Sequence, residues 1–119
     1  MEPLGPDPGF DVFSAGCPSR DVMQHITGRW GALTLVALAD GPLRFSAVRR
    51  RVEGISDRLL AQTLQRLEAD GLVRRHDLQS SPPHVEYALT DSGARVTPKL
   101  VELISTLEAV MPQVLAARG

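Results

Sequence analysis

The sequence predicts one small domain, mainly α with a β-hairpin at its edge, an α+β class. Three observations predict it. The stretch "ISDRLLAQTLQRLEADG" has a helix-starting serine, leucines in three- and four-residue steps, and a stopping glycine. Directly after it, "LVRRHDL" and "HVEYALT" alternate in the strand manner on either side of the turn-forming "QSSPP". From Val96 to Leu115 apolar residues recur at helical spacing for about five turns.

Each element can be justified in order. Residues 1–16 hold Pro3, Pro6, Pro8 and three glycines with no apolar period, which predicts a flexible arm that Phe10 and Phe13 could tack onto the body. The domain proper is expected over 17–119. A first helix is expected at 19–27, capped by Ser19, with Val22, Met23 and Ile26 on one face and Gly28 as its break. A second, apolar on nearly all sides and therefore buried, is expected at 30–39, ending at "DGP". A short third helix runs from Phe45 or Ser46 to Val52, with Ser46 as a cap and Val48 and Val52 inward.

The longer helix, about 56–70, is capped by Ser56, and Asp57 suits the positive end of its dipole. At 100° per residue Leu59, Leu60, Leu64 and Leu67 form its inner side. Arg58, Gln62 and Gln65 fall opposite, with Arg66 beside them. The hairpin occupies about 72–90, with Val85, Tyr87 and Leu89 on one face. A short helix begins at "TDSGARV". A separate long one is expected at about 96–116, with Pro98 in its first turn and Pro112 kinking or ending it.

A short helix, a turn, a longer helix and then a two-stranded hairpin make the winged helix-turn-helix arrangement. It sets the second helix of the motif in the DNA major groove. That groove is about 12 Å wide and accepts one helix. Arginine and glutamine side chains hydrogen-bond guanine and adenine edges, so Arg58, Gln62 and Gln65 are the candidate base contacts. Ser56, Arg66, Arg49, Arg50, Arg74, Arg75, His76 and His84 are the candidate backbone or wing contacts. A solvated helix face is polar in any case, so the argument rests on the set and its placement.

The totals neither require nor forbid this. The net charge is −1, but residues 44–75 hold eight arginines against four acids, a local excess of +4. Arginine forks fit phosphates and guanine better than ammonium groups do, although a GC-rich genome would produce the same bias. At 119 residues the chain makes one modest core, and the stripe Val96, Leu100, Leu103, Ile104, Leu107, Val110, Met111 and Val114 is more than it can hide alone. A homodimer through the N- and C-terminal helices is the expectation, its two readers spanning successive grooves of a palindromic double-stranded operator. The longest near-apolar run, 30–39, is too short to cross a bilayer, and no signal segment opens the chain. With one cysteine, the expected place is the cytoplasm and no membrane contact.

Cys17 stands at the start of the first helix, where a helix N-terminus and nearby Arg20 would lower its pKa. It is a redox-sensing candidate; a disulfide would need Cys17 of another subunit or a small thiol. His25, His76 and His84 have no metal-ligand spacing, and no cofactor or catalytic arrangement is legible, so neither a metal site nor an enzyme is expected. Two further classes stay open. One is a small-molecule-responsive regulator with a pocket at the dimer interface. The other is a winged helix used only for protein interaction, for which the 58–66 face should be apolar or acidic; it is neither.

Three motifs in order resemble the HxlR-type regulators. "CPSRDVMQHITGRW" is similar to that family's Cys-Pro opening and its Ile-Gly-Gly-Lys-Trp signature. "GPLRFSAVRRRVEGISDRLLAQTLQRLEADGLVRR" and "PPHVEYALTDSG" resemble its helix-turn-helix and wing. The likeness covers about 17–115. It implies a dimeric bacterial transcription factor, a repressor by default, with Trp30 in the core, 56–68 as reader, 72–90 as wing and the terminal helices as dimer interface. Thr27 stands where the family has glycine, and Pro112 would shorten the dimer helix.

Overall fold

The chain is described here by a computed structural model over residues 9–119; residues 1–8 of the expected arm lie outside the described part. The elements are α1 (Pro18–Thr27), α2 (Gly31–Ala37), β1 (Leu43–Arg44), α3 (Phe45–Arg51), α4 (Asp57–Ala69), β2 (Val73–Leu78), β3 (His84–Leu89) and α5 (Asp91–Arg118). The strands form an antiparallel sheet in the order β1-β3-β2. β1 was not expected. Two residues show no period, yet Leu43 pairs with Tyr87 and Arg44 with Glu86.

One core joins the helices to the sheet. Leu35 and Leu38 of the α2 region meet Val48 of α3, Leu60, Leu64 and Leu67 of α4, Val73 of β2 and Leu100 of α5. Each leucine removed from water there contributes about 1.5–3 kcal/mol. Leu59, expected on the inner side of α4, is 39 % exposed. It lies at the edge of the stripe, where the 3.6-residue turn carries it past the core. Trp30 is half-buried and packs on the core edge, with the Arg29 guanidinium 4.8 Å from its ring centroid.

Two expected caps are corrected. α1 starts at Pro18 with Cys17 as N-cap and no side-chain cap bond, so Ser19 lies inside the helix. α3 starts at Phe45 after Arg44, also uncapped, so Ser46 lies inside too. Pro18 supplies the first turn of α1 directly, since its fixed φ and missing N–H suit that position.

The largest correction concerns the C-terminus. The two expected helices are one, Asp91–Arg118, and Pro98 and Pro112 both lie within it. Its true start is Thr90, whose hydroxyl accepts from the Gly93 amide at 3.1 Å and donates to the Gly71 carbonyl at 2.6 Å. One side chain thereby caps α5 and ties it to the turn that ends α4. In that turn Gly71 holds φ +77°, which suits a residue without a Cβ. Gly93 is buried where α5 crosses the chain, and a Cβ there would fall on the Leu72 carbonyl. α5 is also long and apolar enough, by length and composition alone, to cross a membrane. Glu102 and Glu108 interrupt its apolar letters, so the sequence shows no unbroken run there. The first turns of α5 are built into the domain, however, with Gly93, Thr97 and Leu100 buried.

Candidate nucleic-acid interface

α4 follows α3 across a short turn, and its start is rigidly made. The Ser56 hydroxyl accepts from the Leu59 amide at 3.1 Å, and Asp57 adds a negative charge to the first turn. At the other end, Asp70 Oδ2 lies 2.7 Å from His25 Nδ1, which fastens α4 to the last turn of α1. With Leu60, Leu64 and Leu67 buried on one side, α4 presents the opposite side to solvent. Arg58, Gln62, Gln65 and Arg66 are all exposed there. None of the four side chains has a hydrogen bond or ion pair within the described residues, so their donors are available to a ligand.

Of the two α3 candidates, Arg49 makes a 3.3 Å exposed ion pair with Asp57, and Arg50 is exposed. The pair joins the two helices of the motif across their turn. Such a surface pair contributes only ~0–1 kcal/mol, so a phosphate could displace it.

The sheet register sorts the wing candidates into two faces. Arg74 pairs with Ala88, Arg75 with Tyr87 and His76 with Glu86. Successive side chains alternate, so Arg74 and His76 share a face with Glu86, His84 and Arg44, whereas Arg75 stands on the face of Tyr87 and Leu43. Arg75 is further occupied by Asp77 at 3.2 Å. The structure therefore groups Arg74, His76 and His84, and separates Arg75 from them.

His84 is the least available. Its Nδ1 lies 3.0 Å from Arg44 Nη2 and 3.0 Å from Ser80 Oγ, and its Nε2 faces Glu86 at 3.6 Å. A guanidinium only donates, so Nδ1 accepts from Arg44 and the ring proton sits on Nε2, towards Glu86. The exposed cation at this point is Arg44, to which sequence reasoning assigned no role. Its place just before the helix-turn-helix was the available signal; its pairing with the wing was not legible.

Cys17 is half-buried at the head of α1. Its Sγ lies 3.1 Å from Ser19 Oγ and accepts from the Asp11 amide at 3.3 Å. The Ser19 hydroxyl, then the Asp11 and Ser19 amides, hold the thiol below its ordinary value, against burial and the Asp11 charge. Arg20, expected to help, does not: its guanidinium donates to the carbonyls of Val12 and Phe13 at 3.0 and 3.2 Å. Among the described residues no cluster of metal-ligating side chains occurs.

A capped, donor-rich second helix beside an antiparallel wing defines a winged helix-turn-helix transcriptional regulator. The chain belongs to the HxlR-like helix-turn-helix family, whose profile matches residues 25–114. It is 48 % identical over 108 residues to the HTH-type transcriptional regulator YtfH of Escherichia coli (strain K12), covering 91 % of this chain and 86 % of that one. The solved structure of the transcriptional regulator ytfH from Salmonella typhimurium is similar at a TM-score of 0.84 and 50 % identity, over 92 % of this chain and 97 % of that one. The redox regulator HypR in its reduced form is similar at a TM-score of 0.74 and 31 % identity, over 83 % of this chain and 98 % of that one.

Proposed function

We propose that this chain is a sequence-specific DNA-binding repressor that acts as a homodimer on a palindromic operator. The observation that carries the reading is that Arg58, Gln62 and Gln65 are exposed on the outer side of α4 with no partner among the described residues. In this reading those three read base edges. Ser56, Arg66, Arg49 and Arg50 lie nearer the sugar-phosphate backbone, and Arg74, Arg75, His76 and His84 serve the wing, with Arg44 joining them. A regulator that reads DNA works in the cytoplasm.

The dimer reading is supported by α5. Leu103, Leu107 and Leu115 are 60 %, 50 % and 57 % exposed in the single chain, a stripe too apolar to leave in water. Ile104, Met111 and Val114 are partly covered, and Val110 is exposed. Two members of the expected interface serve the chain's own core instead: Leu100 is buried in it and Val96 packs against it. An apolar groove lined by Met23, Ile26 and Leu103 runs between α1 and α5, which favours a small-molecule effector at this interface as the second reading.

Cys17 supports oxidant control. The Ser19 hydroxyl and the Asp11 and Ser19 amides hold its thiol pKa below the ordinary value, and the similar HypR structure is that of a redox regulator. With one cysteine in the chain, a disulfide would join two Cys17 residues or Cys17 and a small thiol.

The test is fluorescence anisotropy of the reduced protein on the DNA upstream of its own gene, with scrambled DNA as control, followed by selection from genomic fragments. A preference of ~10³ or more over scrambled DNA is expected. Equal binding to all fragments would sink the sequence-specific reading.

A further inference from the structure

Beside the reader face of α4 lies a notch of about 220 Å³, between that helix and the turn joining α1 to α2. Two arginines line it, Arg29 and Arg66, with Gln24, Gln62 and Trp30. No carboxylate of the described residues lines it. His25 also borders the notch, but its Nδ1 is taken by Asp70. The side chains of Gln24, Gln62 and Arg66 have no partner within the described residues. Arg29 has only the Trp30 face, 4.8 Å away, which steers its guanidinium without neutralising it. Two uncompensated forked cations with two free amides suit a small tetrahedral dianion or a phosphodiester.

The placement selects between these. On α4, Gln62 belongs to both the reader face and the notch, and Arg66 lies one turn further along the same flank. On the opposite flank Asp57, the first residue of α4, holds Arg49 of α3 at 3.3 Å. A helix in the major groove has a phosphate strand along each flank. Arg49 and Arg50 stand towards one strand and the notch stands towards the other.

We propose that this notch is a phosphate-anchoring site of the DNA interface, in which Arg29 and Arg66, assisted by Gln24, grip one backbone phosphate on the strand away from α3. Arg29 and Gln24 thereby join the interface, although they lie outside the helix-turn-helix and the wing. The proposal rests on the DNA-binding reading above. An anchor of this kind holds the register of α4 without reading sequence.

The test compares the unmodified protein with Arg29→Ala and Arg29→Lys on two labelled duplexes, one from the region upstream of its gene and one of random sequence, across a salt series. Trp30 is the only tryptophan, so its emission reports on the notch directly. Arg29→Ala should weaken both duplexes by a common factor and flatten the salt slope by about one. Arg29→Lys should keep most of the slope, and duplex should shift Trp30 emission in the unmodified protein. Arg29 is exposed, and an unchanged melting temperature confirms that the fold is intact. An unaltered slope in Arg29→Ala, or a loss confined to one duplex, overturns the anchor while leaving DNA binding in place. If the unmodified protein shows no salt-dependent binding to either duplex, the DNA reading itself falls and the anchor falls with it.

Discussion

His25 Nδ1 and Asp70 Oδ2 stand 2.7 Å apart and join the last turn of α1 to the C-cap of α4. They are 45 residues apart in the chain. The bond fixes the far end of α4, whose near end is fixed by Ser56. α1 also borders the apolar groove against α5. A shift of α1 therefore reaches α4 through this hydrogen bond and through the core that Val22 and Ile26 share with Leu60, Leu64 and Leu67.

Breaking that bond should loosen α4. His25→Ala and Asp70→Ala should each cost ~1–3 kcal/mol in urea unfolding, because each leaves a partly buried partner unsatisfied. The double variant should cost less than the sum of the two. Strictly additive costs would mean that the pair contributes nothing beyond its separate members.

Thr34 and Thr97 are 0 % and 1 % exposed, and neither hydroxyl has a hydrogen-bond partner among the described residues. Each displaces its hydration for nothing in return. Thr34→Val and Thr97→Val keep the shape and remove the orphan, so each should stabilise the fold by ~1 kcal/mol. Loss of stability in calorimetry would show that these hydroxyls bind water or another partner.

Gly93 offers a steric test of how α5 seats. Ala at 93 would drive its methyl into the Leu72 carbonyl, whereas nothing lies within 4 Å of a Cβ at Gly16. Gly93→Ala should cost ~1–3 kcal/mol as overpacking. Gly16→Ala should be close to neutral. Equal melting temperatures for the two would remove the close approach at Leu72.

The thiol makes a prediction in pH. Ser19 is the largest cause of the lowered Cys17 pKa, followed by the Asp11 amide. The rate of alkylation by iodoacetamide follows the thiolate, so its midpoint should lie below that of a free cysteine. Ser19→Ala removes the hydroxyl's stabilisation of the thiolate, and the midpoint should move up. If it stays put, the hydroxyl is not what favours the thiolate.

Much of the fold was legible because burial leaves a period. Leu60, Leu64 and Leu67 share one side of their helix and Tyr87 and Leu89 one face of their strand, and those are the sides packed on the core. What was not legible has physical causes. β1 is two residues long, too short for any period, and is a strand only because Tyr87 and Glu86 lie opposite it. Pro98 reads as a helix start since it lacks an N–H, but burial of Thr97 and Leu100 carries the helix through it. The outer face of α4 was readable as the complement of the leucine stripe. The grouping of Arg44 with His84, and of Arg29 with Arg66, depends on contacts across distant chain segments and leaves no local pattern.

The last prediction separates reading from holding. Arg58 is in the first turns of α4, exposed and unpaired, while Arg74 stands on the wing face that carries Arg44 and His76. Arg58→Ala should relax preference at one base position and cost ~1–3 kcal/mol on the preferred site, with little effect on random DNA. Arg74→Ala should weaken all sequences about equally and lower the salt slope by about one. Arg75→Ala should do less than Arg74→Ala, since Arg75 points to the other face and is already paired with Asp77. Selection from a randomised duplex pool, repeated with each variant, measures all three. An unchanged base preference with Arg58→Ala takes that residue out of the reader, and a sequence-dependent loss with Arg74→Ala would make the wing a reader as well.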